Sequence, residues 1–262
     1  MTPEDKMKTA PAEAPHLLPL GDSAWSVEFG ARIDAALHAR VLGLAQSLDS
    51  ARQQHAAQWP GIVDVVPTFR SLTVHYDPLR VEGERLGEAL LQLAVDSGSA
   101  SHQGKCWRIP VCFDADLAPD LDDLALAKEM TREAVIRLLT EARFHVYMIG
   151  FMPGFPYMCG LPKVLEMPRL PSPRKAVPAR SMAIANEMCA VYPWESPGGW
   201  RLLGRTPVPM FSASEHNTPS LLASGDQVEW QAIDRERFDE LEKAVTEGRF
   251  TRDSLCLPPG ER

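Results

Sequence analysis

The chain has 262 residues, 45% hydrophobic and 24% charged, enough for two domains whose cores need neither disulfide nor metal. Its 27 Lys and Arg face 35 Asp and Glu, and the net charge of -8 argues against nucleic acid or an anionic membrane as the main partner. Cys106, Cys112, Cys159, Cys189 and Cys256 are odd in number and lack CxxC spacing or a histidine at zinc-ligand spacing, so free thiols and no metal site are expected.

Met1 to Pro15 is polar, without the apolar core of a secretory signal, and reads as a disordered tail over 1–15. No apolar run approaches the length that crosses a bilayer, and with the free thiols this points to a cytoplasmic protein. The alternation of Trp25 to Phe29 predicts a half-buried strand. Asp34 is placed to cap a helix that sets Leu37, Val41, Leu44 and Leu48 on one face. Two β-rich runs follow, Ile62 to Val66 and Leu72 to Tyr76, and then a helix carrying Leu86, Leu90, Leu93 and Ala94. This βαββα order over 16–98 suggests a small α/β sandwich, with helices on one face of a sheet.

Ser97 to Gly104 is small and polar, the composition of a linker. The second domain, 105–262, is expected to open with a strand from Trp107 to Cys112. Helices follow over Leu121 to Lys128 and Arg132 to Ala142, the latter capped by Thr131 with Val135, Leu138, Leu139 and Ala142 inward. Twelve of the 23 prolines then lie between Pro153 and Pro219, among short β-like runs such as Met182 to Ala185 and Val228 to Trp230. Proline is excluded from strand centres and helix interiors, so a barrel of short strands with ordered loops is expected here. A last helix, capped by Asp234 and ended by Gly248, turns Phe238, Leu241 and Val245 toward the barrel.

The sequence lacks GxxxxGK[ST], GxSxG, HExxH and GxGxxG, and Ser172 to Lys175 matches SxxK without the elements that accompany it in hydrolases. The informative segment runs from Gly150-Phe151-Met152-Pro153-Gly154-Phe155-Pro156-Tyr157 to Ser196-Pro197-Gly198-Gly199-Trp200-Arg201-Leu202-Leu203-Gly204-Arg205-Thr206. Between Lys163 and Arg205, seven basic residues (Lys163, Arg169, Arg174, Lys175, Arg180, Arg201, Arg205) face only Glu166, Glu187 and Glu195, a local charge of +4. Planar guanidinium groups suit a carboxylate or phosphate. The alternative is that they pair with acids of the N-terminal domain or of a partner chain. Charge alone leaves both open.

The blocks GFMPGFPYM, PRLPSPRKAVP and YPWESPGGWRLLGRT resemble the signature of the family that includes allophanate hydrolase subunit 1, the B subunit of bacterial 5-oxoprolinase and the sporulation kinase inhibitor KipI. Gly21 to Ala24, Val66 to Phe69, Tyr76 to Pro78 and Ile109 to Cys112 extend the resemblance over nearly the whole chain. It implies an α+β protein, with a small N-terminal α/β sandwich followed by a cyclophilin-like β-barrel that carries a helical insertion and a C-terminal helix. It further implies two partners, a homologous second barrel like the C subunit of 5-oxoprolinase or KipA, and a third protein like the A subunit. Together these would open 5-oxoproline to glutamate at the expense of ATP, held by or shared with a partner. Regulatory binding of a kinase, or biotin-dependent carboxyl transfer, are the alternative activities.

On this reading Arg169, Arg174, Arg201 and Arg205 are candidate contacts to a small carboxylate or amide substrate, with backbone N–H groups of Gly198 and Gly199 as further donors. Phe155, Tyr157, Tyr192 and Trp200 are candidate walls, and no catalytic acid–base pair is assigned. The chain departs from its family at four places. Arg180 stands where a glycine is usual, Met188-Cys189 where Gln-Thr is usual, Leu139 where a histidine occurs and Phe144 where a tyrosine occurs. Arg180 is therefore expected either to fill the pocket or to add an anion contact, and His145 is read as structural.

Overall fold

A computed structural model describes residues 14–99, 104–215 and 218–258. The expected tail therefore lies almost wholly outside the described residues, as does half of the linker. The chain divides into two compact units, Met1–His102 and Gln103–Arg262.

In the first unit, β1 (His16–Pro19), β2 (Ala24–Glu28), β3 (Ile62–Pro67) and β4 (Ser71–Tyr76) form an antiparallel sheet in the order β1-β2-β4-β3. Strand β1 was not anticipated, because its four residues are mostly exposed and show no alternation of buried side chains. Helices α1 (Ala35–Gln54) and α2 (Gly83–Asp96) pack on the sheet. Asp34 caps α1 as expected, accepting the Leu37 N–H at 2.8 Å. Val41, Leu44 and Leu48 from α1 and Leu86, Leu90 and Ala94 from α2 meet Val27, Phe29, Leu72 and Val74 of the sheet face. Each buried valine, leucine or phenylalanine among them contributes roughly 1.5–3 kcal/mol.

The second unit is built from β5 (Cys106–Cys112), α3 (Leu121–Ala127), α4 (Arg132–Glu141), β6 (Arg143–Ile149), β7 (Pro156–Cys159), β8 (Arg174–Val177), β9 (Ser181–Ala185), β10 (Met188–Val191), β11 (Ser196–Gly198), β12 (Arg201–Arg205), β13 (Gln227–Ile233), α5 (Arg235–Thr246) and β14 (Cys256–Leu257). Seven strands close a barrel in the order β12-β9-β10-β7-β6-β13-β5, with β12 returning to β5. The closing edge of β5 is shared. Its start pairs with β14 through Cys106 and Trp107, and its end with β12 through Cys112 and Arg205. Among the described residues only the pair β13 and β5 is parallel, in register along seven residues. Strands β8 and β11 form a separate two-stranded ribbon.

Ile109, Val111, Phe144, Val146, Met158, Met182, Ile184, Val191, Leu203, Val228 and Trp230 fill the barrel, and Leu121, Leu124, Val135 and Leu139 of α3 and α4 continue that core. Leu138 and Ala142, expected inward, are only partly buried, and on α5 only Phe238 is buried. Gly248 follows α5 in the left-handed region at φ 68°, as a helix-ending glycine does. All five cysteines carry free thiols, and among the described residues no cluster of His, Cys, Asp or Glu could hold a metal ion. No described helix is long and apolar enough to cross a membrane.

Asp226 fixes the alignment of β5 with β13 from a buried position. Its Oδ1 accepts the Lys105 N–H at 2.9 Å, and its Oδ2 accepts Trp107 Nε1 at 2.8 Å and the Ala223 N–H at 2.9 Å. Burial raises its pKa, while these three donors pull it back toward the charged form. In Asp226→Asn the new NH2 must face one of the three donors. The variant is expected to lose about 1–3 kcal/mol of barrel stability in denaturant unfolding, and an unchanged midpoint would show that the anchor is dispensable.

Candidate functional site

The GFMPGFPY run forms the β6–β7 connection. Three backbone bonds tighten it: Gly150 N–H to Phe155 O at 3.1 Å, Met152 N–H to Gly150 O at 2.8 Å, and Phe155 N–H to Met152 O at 3.0 Å. The turn forces Phe151 into the left-handed region at φ 66°, a costly conformation for a large side chain, and leaves it 66% exposed. Gly154, at φ 79°, must be glycine, since a Cβ there would come within 2.8 Å of Phe211 Cβ and 2.9 Å of Met210 O. The same turn sends Phe155 inward.

Phe155 is the hub of an aromatic cluster. Its ring centroid lies 5.0 Å from Tyr157, 5.2 Å from Tyr192 and 5.9 Å from Trp200, and Tyr157 lies 6.0 Å from Trp200. Val177, Ala183, Ala185, Ala190 and Leu202 complete this second core of the unit. Phe155, Tyr192 and Trp200 are thus brought together but buried, packed edge-on around Phe155, whereas Tyr157 is half-buried. Burial raises the phenol pKa of both tyrosines, and the nearby Arg169 charge opposes the shift. Gly198 lies under Tyr192, where a Cβ would overlap the phenol oxygen and come within 2.8 Å of Cζ. Gly199 has more room, and its carbonyl accepts the Leu170 N–H at 2.7 Å.

The five arginines of this segment separate into two sets. Arg169, Arg174 and Arg201 surround Trp200. The Arg169 guanidinium is exposed, 5.8 Å from the indole centroid, and has no acidic partner among the described residues. Arg201 donates Nε to Pro168 O at 3.0 Å. Arg174 donates Nη2 to Asp120 Oδ1 at 2.6 Å and Nη1 to Trp200 O at 3.4 Å. Arg180 and Arg205 form the other set. Arg180 donates Nη1 to Pro207 O at 2.9 Å and pairs through Nη2 with Glu242 on α5, while Arg205 donates Nε to Ala179 O at 2.9 Å. Burial and the nearby Arg180 lower the pKa of Arg205. The acids that answer these arginines, Asp120 and Glu242, belong to the same unit, a source that sequence reading did not consider.

Arg180 sits at φ 67°, in the left-handed region that a glycine would occupy without cost. Thr206 N–H bonds its carbonyl at 3.0 Å, and its own N–H donates to Tyr192 O, which fix that conformation. Leu139 and Phe144 are wholly buried in the apolar core, and Cys189 is buried in the barrel with its thiol pKa pushed up by desolvation. His145 stacks edge-on against Tyr147 at 5.3 Å, and burial lowers its pKa.

A family model described as "Carboxyltransferase domain, subdomain C and D" matches residues 15–222. The chain belongs to this family. Within it, the chain is 34% identical to the B subunit of 5-oxoprolinase from Bacillus subtilis over 233 residues, 84% of this chain and 93% of that protein. It is 39% identical to the corresponding B subunit from Haemophilus influenzae over 180 residues, 69% of this chain and 83% of that one. Among solved structures, the protein TTHA0988 superposes with a TM-score of 0.69 at 33% identity, over 80% of this chain but only 40% of its own length. Within the carboxyltransferase family the chain is therefore a member of the group of 5-oxoprolinase B subunits, as its sequence blocks implied.

Sequence reasoning overlooked Asp120. It precedes α3 and looks like one more acid of a helix start, and only the fold shows its carboxylate turned away from the helix. In this family member Gly198→Ala is expected to displace the Tyr192 ring and cost about 1–3 kcal/mol. Tyr192→Phe should relieve part of that loss in the double variant, read as additivity in thermal unfolding. At Arg180, alanine and glycine lose the same contacts but only alanine keeps the backbone penalty. The alanine variant should be less stable by about 1 kcal/mol, and equal stability would contradict the strain.

Proposed function

We propose that the chain is the B-type component of a 5-oxoprolinase-like assembly that opens 5-oxoproline to glutamate with consumption of ATP. The observation that carries this reading is 34% identity over 93% of a relative named as the B subunit of 5-oxoprolinase. An exposed basic rim beside buried aromatics supports it, because a substrate with a carboxylate and a flat lactam ring needs a fixed charge and an apolar floor.

Lactam opening is difficult because the amide carbonyl is a poor electrophile. Phosphorylation of its oxygen by ATP would activate it toward water, and the site would then have to stabilise the developing anionic charge. The residues here offer anion contacts and water exclusion, with no paired carboxylates for acid–base work. We therefore assign ATP handling and the remaining catalytic groups to the partners, a second barrel protein of the C type and a third protein of the A type, in the cytoplasm where ATP is available. Biotin-dependent carboxyl transfer is a second reading, favoured by the description of the family model.

The test is glutamate formation from 5-oxoproline by the chain purified with its partner subunits, with single components and ATP omitted in turn. Turnover is expected only in the complete mixture. Full turnover without this chain or without ATP would refute the assignment, and a requirement for a biotin carrier would favour the second reading.

A further inference from the structure

The arrangement around Trp200 divides labour among the arginines in a way the functional reading does not require. Asp120 is only 3% exposed, yet both of its oxygens are engaged. Oδ1 takes Arg174 Nη2 at 2.6 Å, and Oδ2 takes the Leu202 N–H at 2.6 Å. The Asp120 N–H returns a bond to Leu202 O at 3.1 Å, so the acid is locked to β12 through both backbone groups of Leu202. Two residues earlier, the Trp200 carbonyl accepts from Arg174. The three-residue stretch Trp200–Leu202 is thus held at both ends by one ion pair, of which Asp120 is buried and Arg174 half-buried. Arg174 commits its Nη2 to Asp120, and an external anion that drew it away would leave a buried carboxylate oxygen without its partner.

Arg169 is held differently. Its neighbours are tied to the residues on either side of Trp200, by Leu170 N–H to Gly199 O at 2.7 Å and by Arg201 Nε to Pro168 O at 3.0 Å. These two bonds set the Arg169 guanidinium over the Trp200 indole, 5.8 Å from its centroid. A guanidinium resting on an aromatic face keeps its in-plane donors available, and this one spends none of them on an acid among the described residues.

We propose that Asp120 and Arg174 are a positioning pair that holds Trp200 beneath Arg169, and that Arg169 is the guanidinium that receives the carboxylate of the substrate. This rests on the functional reading for the identity of the substrate, but not for the existence of the anion site.

The experiment follows the Trp200 indole N–H resonance of the full-length chain, assigned with Trp200→Phe, during titration with acetate. The wild-type resonance should shift saturably, and Arg169→Ala should abolish the shift while Arg169→Lys retains part of it. Asp120→Asn should move the resonance before acetate is added and weaken acetate binding about tenfold or more. Asp120→Asn combined with Arg174→Gln, which restores a neutral hydrogen-bonded pair, should bring both back toward wild type, a rescue that separates positioning from general loss of fold. In the assembled complex, Arg169→Ala should raise KM for 5-oxoproline about tenfold to a hundredfold, with a smaller change in kcat. An acetate response that survives in Arg169→Ala overturns the receiving role. A resonance and an affinity indifferent to Asp120→Asn overturn the positioning pair. If acetate behaves as described while the wild-type complex leaves 5-oxoproline untouched, the anion site stands and the functional reading falls.

Discussion

A carboxylate withdrawn from water is among the most expensive groups a protein can bury, and it persists only where donors converge on it. Asp120 meets that requirement with the Arg174 side chain and a β12 amide, so two strands and a helix start share one point of attachment. Without it, Arg174 would sit half-buried and unpaired, and the ribbon of β8 and β11 would lose one of its ties to β12. Much of the geometry around Trp200 follows from satisfying this one group.

Barrel closure supplies the rest. Strand β5 divides its free edge between β14 at its start and β12 at its end, so the ring closes through a short contact at Arg205, at the far end of β12 from Trp200. Asp226 anchors the opposite flank of β5 by joining its first residues to the turn before β13. The barrel interior is apolar and filled, and the aromatic cluster is a second, smaller core beside it. The groups open to a ligand lie at the rim, where half-buried Tyr157 and exposed Arg169 stand beside the buried rings.

The elements that carry a strong period were legible in the sequence. Helix α1 declared itself through Asp34 and the apolar series that follows, and the proline-rich stretch announced short strands and ordered loops. The family blocks pointed to the barrel. Strand β1 was hidden because an exposed four-residue edge strand leaves no pattern. The aromatics were recognised as a set, but whether a ring lines a pocket or fills a core depends on the second layer behind it, which spacing does not report. The seven basic residues looked like one patch because they are close in sequence. The fold separates them, since β12 carries Arg201 to the Trp200 end and Arg205 to the end beside Arg180. Arg180 takes a left-handed conformation that sequence alone does not report for an arginine, fixed by bonds to its N–H and its carbonyl.

The sharpest claim is that, of several guanidinium groups near Trp200, a single one meets the substrate while another serves only to hold it in place. The most direct measurement is a crystal structure of the assembled complex with 5-oxoproline bound. The expected result is the substrate carboxylate within hydrogen-bonding distance of Arg169, with Arg174 still paired to Asp120. A carboxylate held wholly by another subunit, with Arg169 facing solvent, or an Arg174 released from Asp120 to bind it, would contradict the account.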